Sequence, residues 1–292
     1  MTKKLLLILI LLSTLTTYSQ HQGQLQFFQT DWGRTDSWFA FCERTKKAGY
    51  DGIEVWFPTE LQSMLDLKRA LDQYNLKVIF LAGTDKSLPF EASLVSYTER
   101  LMSLVEYGPV AINCHTGSDF FTFEQNKAFI DAANKIAKEN NIPIYHETHR
   151  GRFSYNLPDT QKYIAAIPDL KLTLDISHWM VVHESLLPKQ DAELQEVIDR
   201  SNHIHARIGH AEGPQVNDPE APEWQIALER HLDIWENVIR QKWETDPNFT
   251  ITTEFGPADY MPTLPYTRLP VADQWKANIY MMKALKERMN IE

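Results

Sequence analysis

Three carboxylates and one imidazole stand where short apolar runs of this chain end. These residues are Glu147, Asp175, His205 and Glu254, in the runs IPIYHE, LKLTLD, HIHA and FTITTE. They lie 28, 30 and 49 residues apart, and a (β/α)₈ barrel of roughly 250 residues repeats about every 31 residues. The spacing therefore predicts that the four side chains stand at the carboxyl ends of barrel strands, which converge on one mouth.

Carboxylates gathered at one mouth repel each other strongly unless a cation lies between them. Together with His205 they form an oxygen-rich set, which suits one divalent metal ion. Mn²⁺ is the first expectation, with Mg²⁺, Co²⁺ or Zn²⁺ as alternatives. Such a cation polarises a carbonyl and stabilises an enediolate oxygen, while one Glu takes a proton and another returns it. The predicted chemistry is proton transfer next to a carbonyl.

Strand and helix patterns alternate from one end of the chain to the other, which favours a parallel sheet. Eight such units in about 270 residues favour closure into a TIM barrel. An open, doubly wound sheet would have a Gly-rich turn after its first strand, and the segment QTDWGRTDS lacks it. We expect a first helix capped by Asp36. The predicted strands are Leu25–Gln29, Gly52–Val55, Lys77–Leu81, Ala111–Cys114, Pro143–His146, Lys171–Leu174, His203–Ala206 and Phe249–Thr253.

The first residues have the three-part layout of a secretory signal peptide. Lys3 and Lys4 precede the apolar run Leu5–Leu12, and a hydroxyl-rich stretch continues to Ser19. The apolar run is too short for a membrane span, which needs about 20 residues. We therefore expect a signal peptide at 1–19, a single barrel domain at 20–292, and export to the periplasm or medium without stable membrane association. An uncleaved N-terminal anchor is the alternative.

The composition is that of a globular domain with one large core: 43% of the residues are hydrophobic and 23% are charged. The formal net charge of −10 argues against a nucleic-acid partner, because such domains carry a basic patch. Cys42 falls in the first predicted helix and Cys114 at the end of the fourth predicted strand. Both are expected to be free, mostly buried thiols.

Several other side chains near strand ends are candidates for substrate contact. His115 closes the segment NCHTG, Arg207 follows His205 by two residues, and Glu54 belongs to GIEVW. For His115 the alternative is a structural hydrogen bond. For Arg207 it is an ion pair with a ligating carboxylate, and for Glu54 it is an ion pair with Arg34.

His203 competes with His205 as a ligand, because residues two apart on a strand face the same side. His205 is nearer the carboxyl end and is preferred. Four aromatic rings just past strand ends could stack on a sugar or simply pack at the mouth: Trp32, Trp56, Trp179 and Phe255. The irregular segments 209–222 and 256–270 are candidate lids over the same mouth.

The segments YHETHRG, LTLDISHW, HIHARIGH and TTEFGP resemble the xylose isomerase-like superfamily of sugar isomerases and epimerases. The second-strand segment AGYDGIEVW resembles it too. The resemblance implies a TIM barrel that binds one divalent metal through Glu147, Asp175, His205 and Glu254. It also implies that Glu147 and Glu254 act as the acid/base pair and that His178 contacts a carbohydrate substrate. Barrels of this superfamily often form homodimers or homotetramers.

Departures from the family pattern narrow the expected reaction. Two-metal aldose isomerases of the superfamily have an additional Asp cluster and a catalytic Lys, and after His205 only Asp218 is available. A hydride shift is therefore disfavoured against proton transfer. Export favours the alternative of a metal-dependent 3-keto-glycoside lyase or hydratase, which also removes a proton next to a carbonyl. A non-catalytic carbohydrate-binding barrel is the alternative from another class.

Overall fold

The structure is a computed structural model that describes residues 24–243, 246 and 248–291. Eight parallel strands close into a barrel in chain order, β1 to β8, with β8 paired to β1. The predicted (β/α)₈ fold is confirmed, and each predicted strand boundary is within two residues of the observed one. The signal peptide predicted at 1–19 lies outside the described residues. The strands are β1 Gln26–Thr30, β2 Gly52–Trp56, β3 Lys77–Gly83, β4 Ala111–His115, β5 Ile144–Glu147, β6 Leu172–Leu174, β7 Ser201–Ala206 and β8 Thr250–Thr253.

Nine α-helices are described, and most of them cover the outside of the barrel. None of the described helices is long and apolar enough to cross a membrane. The predicted cap of the first helix was wrong: Ser37, not Asp36, accepts a hydrogen bond from the Ala40 amide. The helices are α1 Trp38–Lys47, α2 Leu61–Tyr74, α3 Phe90–Val105, α4 Phe123–Asn140, α5 Leu157–Ala166, α6 Ile176–Val182, α7 Asp191–Ile198, α8 Gln225–Trp243 and α9 Gln274–Met289.

The short helix α6 was not predicted, although it directly follows the ligand candidate Asp175. Five of its seven residues, 176 to 180, are buried, so it shows no polar face and no helical period in hydrophobicity. Asp175 is its N-cap, and the side chain accepts a hydrogen bond from the Ser177 amide. The turn from β6 into α6 therefore fixes the direction of the Asp175 carboxylate.

The barrel interior has an apolar layer, and a polar layer lies above it. Phe28, Ile79, Ala111 and Tyr145 form a buried cluster contributed by four different strands. Side chains two apart on a strand share a face, so the residues two further along these strands stand on the same inner face. Glu147 is such a residue on β5. The alternation of side chains along each strand thus places polar groups at the carboxyl end of the barrel, above the apolar layer.

Both cysteines are free and buried, as the sequence predicted. Cys42 packs with the core between the helices and the first half of the barrel, and so does Cys114. Burial raises the pKa of each thiol to about 12, so neither provides a thiolate near neutral pH.

Gly52 makes room for the apolar layer, and its replacement by Ala should destabilise the barrel. An added Cβ would lie 2.4 Å from Phe28 Cε1 and 2.5 Å from the Lys77 carbonyl oxygen. We expect Gly52→Ala to lower the free energy of unfolding in urea by about 1–3 kcal/mol, the usual cost of overpacking. Gly83→Ala is the control, because its Cβ would come no closer than 3.1 Å to the Trp56 ring and 3.5 Å to His115 Cβ. Equal stability of the two variants would contradict this account.

Candidate metal centre and active site

The four predicted metal ligands come together at the carboxyl ends of β5 to β8. Glu147, Asp175, His205 and Glu254 each offer one ligand atom, and these atoms all lie within 4.8 Å of one another. All four residues are buried, and Glu254 is the most exposed at 8%. Residues from four separate strands thus form one compact, oxygen-rich cluster, as the spacing predicted.

Unpartnered polar atoms in this cluster fit a metal ion. Glu147 Oε1, His205 Nδ1 and Glu254 Oε2 are buried and have no hydrogen-bond partner among the described residues. His205 Nδ1 lies 3.1 Å from Glu254 Oε2 and 3.6 Å from Glu147 Oε2. A buried polar atom without a partner costs about 1–3 kcal/mol. A divalent cation among these atoms would satisfy all three of them.

Glu54 lies beneath His205 and fixes which ring nitrogen faces the cluster. His205 Nε2 is 2.9 Å from Glu54 Oε2, so the neutral ring of a metal-bound form would donate there and offer Nδ1 to the ion. Metal-ligating histidines generally donate their other N–H to a carboxylate in this way. Asn113 supports the arrangement by donating to Glu54 Oε1 at 3.1 Å and to Glu147 Oε2 at 3.2 Å.

The alternative that Glu54 pairs with Arg34 was wrong. Arg34 instead donates to the Asp36 carbonyl and lies over the Trp38 ring. Glu54 is only 1% exposed and does not line the cavity described below. Its predicted contact with substrate stays a prediction.

His203 is an interior histidine one layer below His205. Its Nδ1 lies 2.7 Å from Thr250 Oγ1, and its Nε2 lies 3.5 Å from Glu54 Oε2. Two further groups also bring potential ligand atoms within 4.8 Å of one another: Glu54–His203–His205 and His115–Glu147–His149. The first is fully buried, and its members are already paired with each other. The second lies at the cavity.

Arg207 is a fully buried cation beside two of the predicted ligands. Its guanidinium pairs with Asp175 Oδ2 and lies 3.3 Å from Glu254 Oε2. The ion pair foreseen as its structural role is therefore present, and its predicted substrate contact stays a prediction. Including Glu54 and Glu147, the centre holds four buried carboxylates and one fully buried guanidinium. The excess negative charge is what a divalent cation can balance.

His178 is packed behind the cluster and does not line the cavity. It is fully buried, its Nε2 accepts a hydrogen bond from Arg207 at 2.9 Å, and its ring centroid lies 3.8 Å from that of His149. Burial lowers its pKa well below the ordinary value, with His149 and Arg207 adding to the effect. His178 is therefore neutral, and its predicted substrate contact stays a prediction.

A cavity of about 190 Å³ opens above the cluster. His115 lines it and places Nε2 2.8 Å from Glu147 Oε2. Trp32 and Trp56 line it as well, whereas Trp179 and Phe255 are fully buried and contribute no wall. The lining residues are Thr30, Trp32, Trp56, Leu81, His115, His149, Arg152, Arg207, Glu254 and Tyr260.

Asn113, Tyr260 and Arg152 are among the site residues that the sequence analysis did not single out. Asn113 precedes His115 by two residues, and this spacing alone could have placed it on the inner face. Tyr260 belongs to the segment predicted as a lid, and it packs edge-on against Trp32 with ring centroids 4.7 Å apart. Arg152 gave no signal, because the loop after β5 has no regular spacing.

Comparison with known proteins identifies the family. Residues 42–240 match the family model described as the xylose isomerase-like TIM barrel. The chain belongs to this family. The resemblance seen in the sequence is thereby confirmed. No curated protein matches the chain significantly.

Solved structures share this barrel at low sequence identity, which shows the fold alone. A xylose isomerase-like TIM barrel protein from Mycobacterium smegmatis in complex with magnesium is 12% identical, with a TM-score of 0.61 over 93% of this chain and 99% of that chain. The 3-keto-D-glucoside 4-epimerase YcjR from E. coli is 15% identical, with a TM-score of 0.58 over 90% and 100%. The probable 3-DHS dehydratase AsbF from Bacillus anthracis is 15% identical, with a TM-score of 0.56 over 90% and 99%.

The protonation states of this xylose isomerase-like centre follow from the burial and close spacing of its charged side chains. Burial alone would lower the pKa of His205, but Glu254, Glu54 and Glu147 raise it well above the ordinary value. Burial alone would raise the pKa of Glu147, but His115 and His205 hold it well below. Burial raises the pKa of Asp175 to about 7, against the attraction of Arg207. Without metal, His205 therefore carries a proton at neutral pH.

Metal binding should release protons and tighten as the pH rises. A ligating imidazole must be neutral, so an ion that binds at neutral pH displaces the proton of His205. It also displaces the proton of Asp175 in the fraction of molecules in which this carboxyl group is protonated. Calorimetric titration of metal-free protein with Mn²⁺ in buffers of different ionisation enthalpy should show about one to two protons released per ion near pH 7. His210→Gln, in the loop after β7, should behave like the wild type. An affinity independent of pH between 5.5 and 8 would contradict the assignment.

Proposed function

We propose that this protein is a divalent-metal-dependent carbohydrate isomerase or epimerase that works by proton transfer through an enediolate. The observation that carries the proposal is the unsatisfied ligand set, which contains two glutamates and lies directly under a small cavity with two indole rings in its wall. Indole faces suit the apolar face of a sugar ring. The cavity is smaller than the roughly 300–1,000 Å³ typical of drug-sized sites, so it suits a small sugar.

A bound divalent ion would supply Lewis acidity toward a substrate carbonyl. Glu147, Asp175, His205 and Glu254 would hold it, and their oxygen-rich set favours Mn²⁺, with Mg²⁺, Co²⁺ or Zn²⁺ as alternatives. The family relationship and the magnesium in the Mycobacterium smegmatis structure support a metal at such a centre.

We assign the acid/base pair to Glu254 and Glu147. Glu254 lines the cavity and keeps an unpartnered oxygen, so it can take a proton from the carbon next to the carbonyl. Glu147 does not line the cavity itself, but its Oε2 lies 2.8 Å from Nε2 of the lining residue His115. It would exchange a proton on the other side of the substrate. Arg207 and His115 line the same cavity and can donate to substrate oxygens. One glutamate removes the proton and the other returns it.

A second candidate is a metal-dependent lyase or hydratase that acts on 3-keto-glycosides. The same glutamates would remove a proton next to the ketone, and a group on the neighbouring carbon would leave. Structural neighbours that are a 3-keto-glucoside epimerase and a probable dehydratase support it. Release of the aglycone from a 3-keto-glycoside would distinguish this lyase from an epimerase, which leaves the glycoside intact.

The remaining expectations belong to the same proposal. We propose an exported protein, periplasmic or secreted, that acts on a small-molecule carbohydrate, binds no nucleic acid and assembles as a homodimer or homotetramer. A carbohydrate-binding barrel without catalysis is the rival from another class. Purified protein that takes up no divalent metal would favour that rival.

Replacing Glu254 by Gln should abolish turnover and leave the fold intact. The amide keeps the shape of the side chain but cannot take a proton, and loss of a general base typically costs 10²- to 10⁴-fold in rate. The assay is deuterium incorporation next to a carbonyl, followed by NMR in D₂O across a panel of neutral, acidic and oxidised sugars. Thermal unfolding should shift by no more than about 4 °C, which corresponds to about 1 kcal/mol or less.

Glu99→Gln is the matched control, since Glu99 is exposed on α3 and far along the chain from every ligand. It should retain full exchange. Undiminished deuterium incorporation by Glu254→Gln would rule out the proposed acid/base role.

A further inference from the structure

One cation in the cavity wall has no carboxylate partner. Arg152 follows β5 by five residues, and its Nε is buried without a hydrogen-bond partner among the described residues. Its closest polar contact is a long one, with Nη2 3.4 Å from His115 Nδ1. Within the described part of the chain, no carboxylate oxygen lies within 4 Å of this guanidinium. Burying a cation partly without an ion-pair partner costs free energy of folding.

Two more cations stand beside Arg152. Lys86, in the loop after β3, donates to the Gly151 carbonyl at 3.3 Å, and the Arg150 guanidinium lies 5.2 Å from the Tyr260 ring centroid. Burial and the charge of Arg152 both lower the pKa of Lys86, against the attraction of Asp119. Burial also lowers the pKa of Arg152, against the attraction of Glu147 and Asp119, neither of which has a carboxylate oxygen within 4 Å of its guanidinium. We call Lys86, Arg150 and Arg152 the cationic rim.

The cationic rim contrasts with the rest of this acidic chain. The formal net charge is −10, and several arginines elsewhere are paired with acids. Arg230 lies 2.8 Å from Asp191 Oδ1, and Arg288 pairs with three acidic residues of α8. A partly buried cation in a cavity wall, with no carboxylate oxygen within 4 Å among the described residues, therefore indicates an anionic ligand group, for which Arg offers a fork of donors that matches carboxylate and phosphate.

We propose that the sugar bound in this cavity carries an oxyanion, a carboxylate or a phosphate, which binds Arg152 and the cationic rim. This inference rests on the proposed function for the carbohydrate nature of the ligand. The electrostatic field in the cavity also orients the bound sugar. The carboxylates of the floor repel the oxyanion and the rim attracts it, so the neutral carbonyl end faces Glu254.

Calorimetric titration tests the proposal on the purified protein, metal-free and loaded with Mn²⁺. The probes are D-glucuronate and D-galacturonate, the 6-phosphates of D-glucose and D-galactose, and the two neutral hexoses. We expect at least one charged class to bind about tenfold or more tightly than its neutral parent, as hydrogen bonds to charged groups allow. The preferred class, carboxylate or phosphate, identifies the anionic group.

Arg152→Gln should lose about tenfold or more in affinity for the preferred charged sugar and less than about twofold for the neutral hexose. Arg152→Lys keeps the charge without the fork and should fall between Gln and the wild type. Arg100→Gln removes the same charge from the exposed surface of α3 and should bind like the wild type. Equal binding of charged and neutral sugars, equal losses for both in Arg152→Gln, or no binding of any charged sugar would overturn the proposal.

Metal content separates this test from that of the proposed function. Arg152→Gln should take up as much Mn²⁺ as the wild type, because Arg152 touches no predicted ligand among the residues that the structure describes except through His115. Selective binding of charged sugars by a protein that holds no metal would keep the anion site and overturn the metal-dependent reaction. Metal uptake and deuterium exchange by a protein that binds charged and neutral sugars equally would keep the metal-dependent reaction and overturn the anion site.

Discussion

The crowding of carboxylates around His205 is the constraint on which the rest of this site depends. Glu54, Glu147 and Glu254 surround one imidazole, and Asp175 is held nearby by Arg207. Charges this close in a buried place need a counter-cation. Arg207 and a proton on His205 supply part of the compensation, and the unpartnered ligand atoms mark where a divalent ion would supply the rest.

The barrel makes this crowding tolerable by separating it from the apolar core. On the inner face, the layer that contains Phe28 and Ile79 closes the interior below the site, and the polar residues stand above it at the mouth. Asn113 and Glu54 sit between the two layers and hold the ligands by hydrogen bonds. Rigid strands and these bonds keep the like charges together where a flexible loop would let them move apart.

The cavity above the cluster is electrically asymmetric. Glu254 lines it above the other buried carboxylates, and Arg152 lines it as a cation with no carboxylate in contact among the described residues. The indole rings of Trp32 and Trp56 belong to the same wall. A ligand with an anionic end and a neutral carbonyl end matches all three features. The charge of the whole chain gives no hint of this, because its excess of acids is spread over the outer surface as well.

The sequence by itself determined the barrel and the meeting of four ligand candidates, because strand periodicity and a spacing near 30 residues fix which side chains reach one mouth. It also determined the family, through short motifs around Glu147, Asp175 and His205. The sequence preferred His205 to His203 by its place on the strand, and the tertiary structure shows which groups each imidazole meets at its depth. The tertiary structure alone placed Arg152 and Tyr260, because loops have no period that tells where a side chain points, and charge pairing exists only between residues that folding brings together.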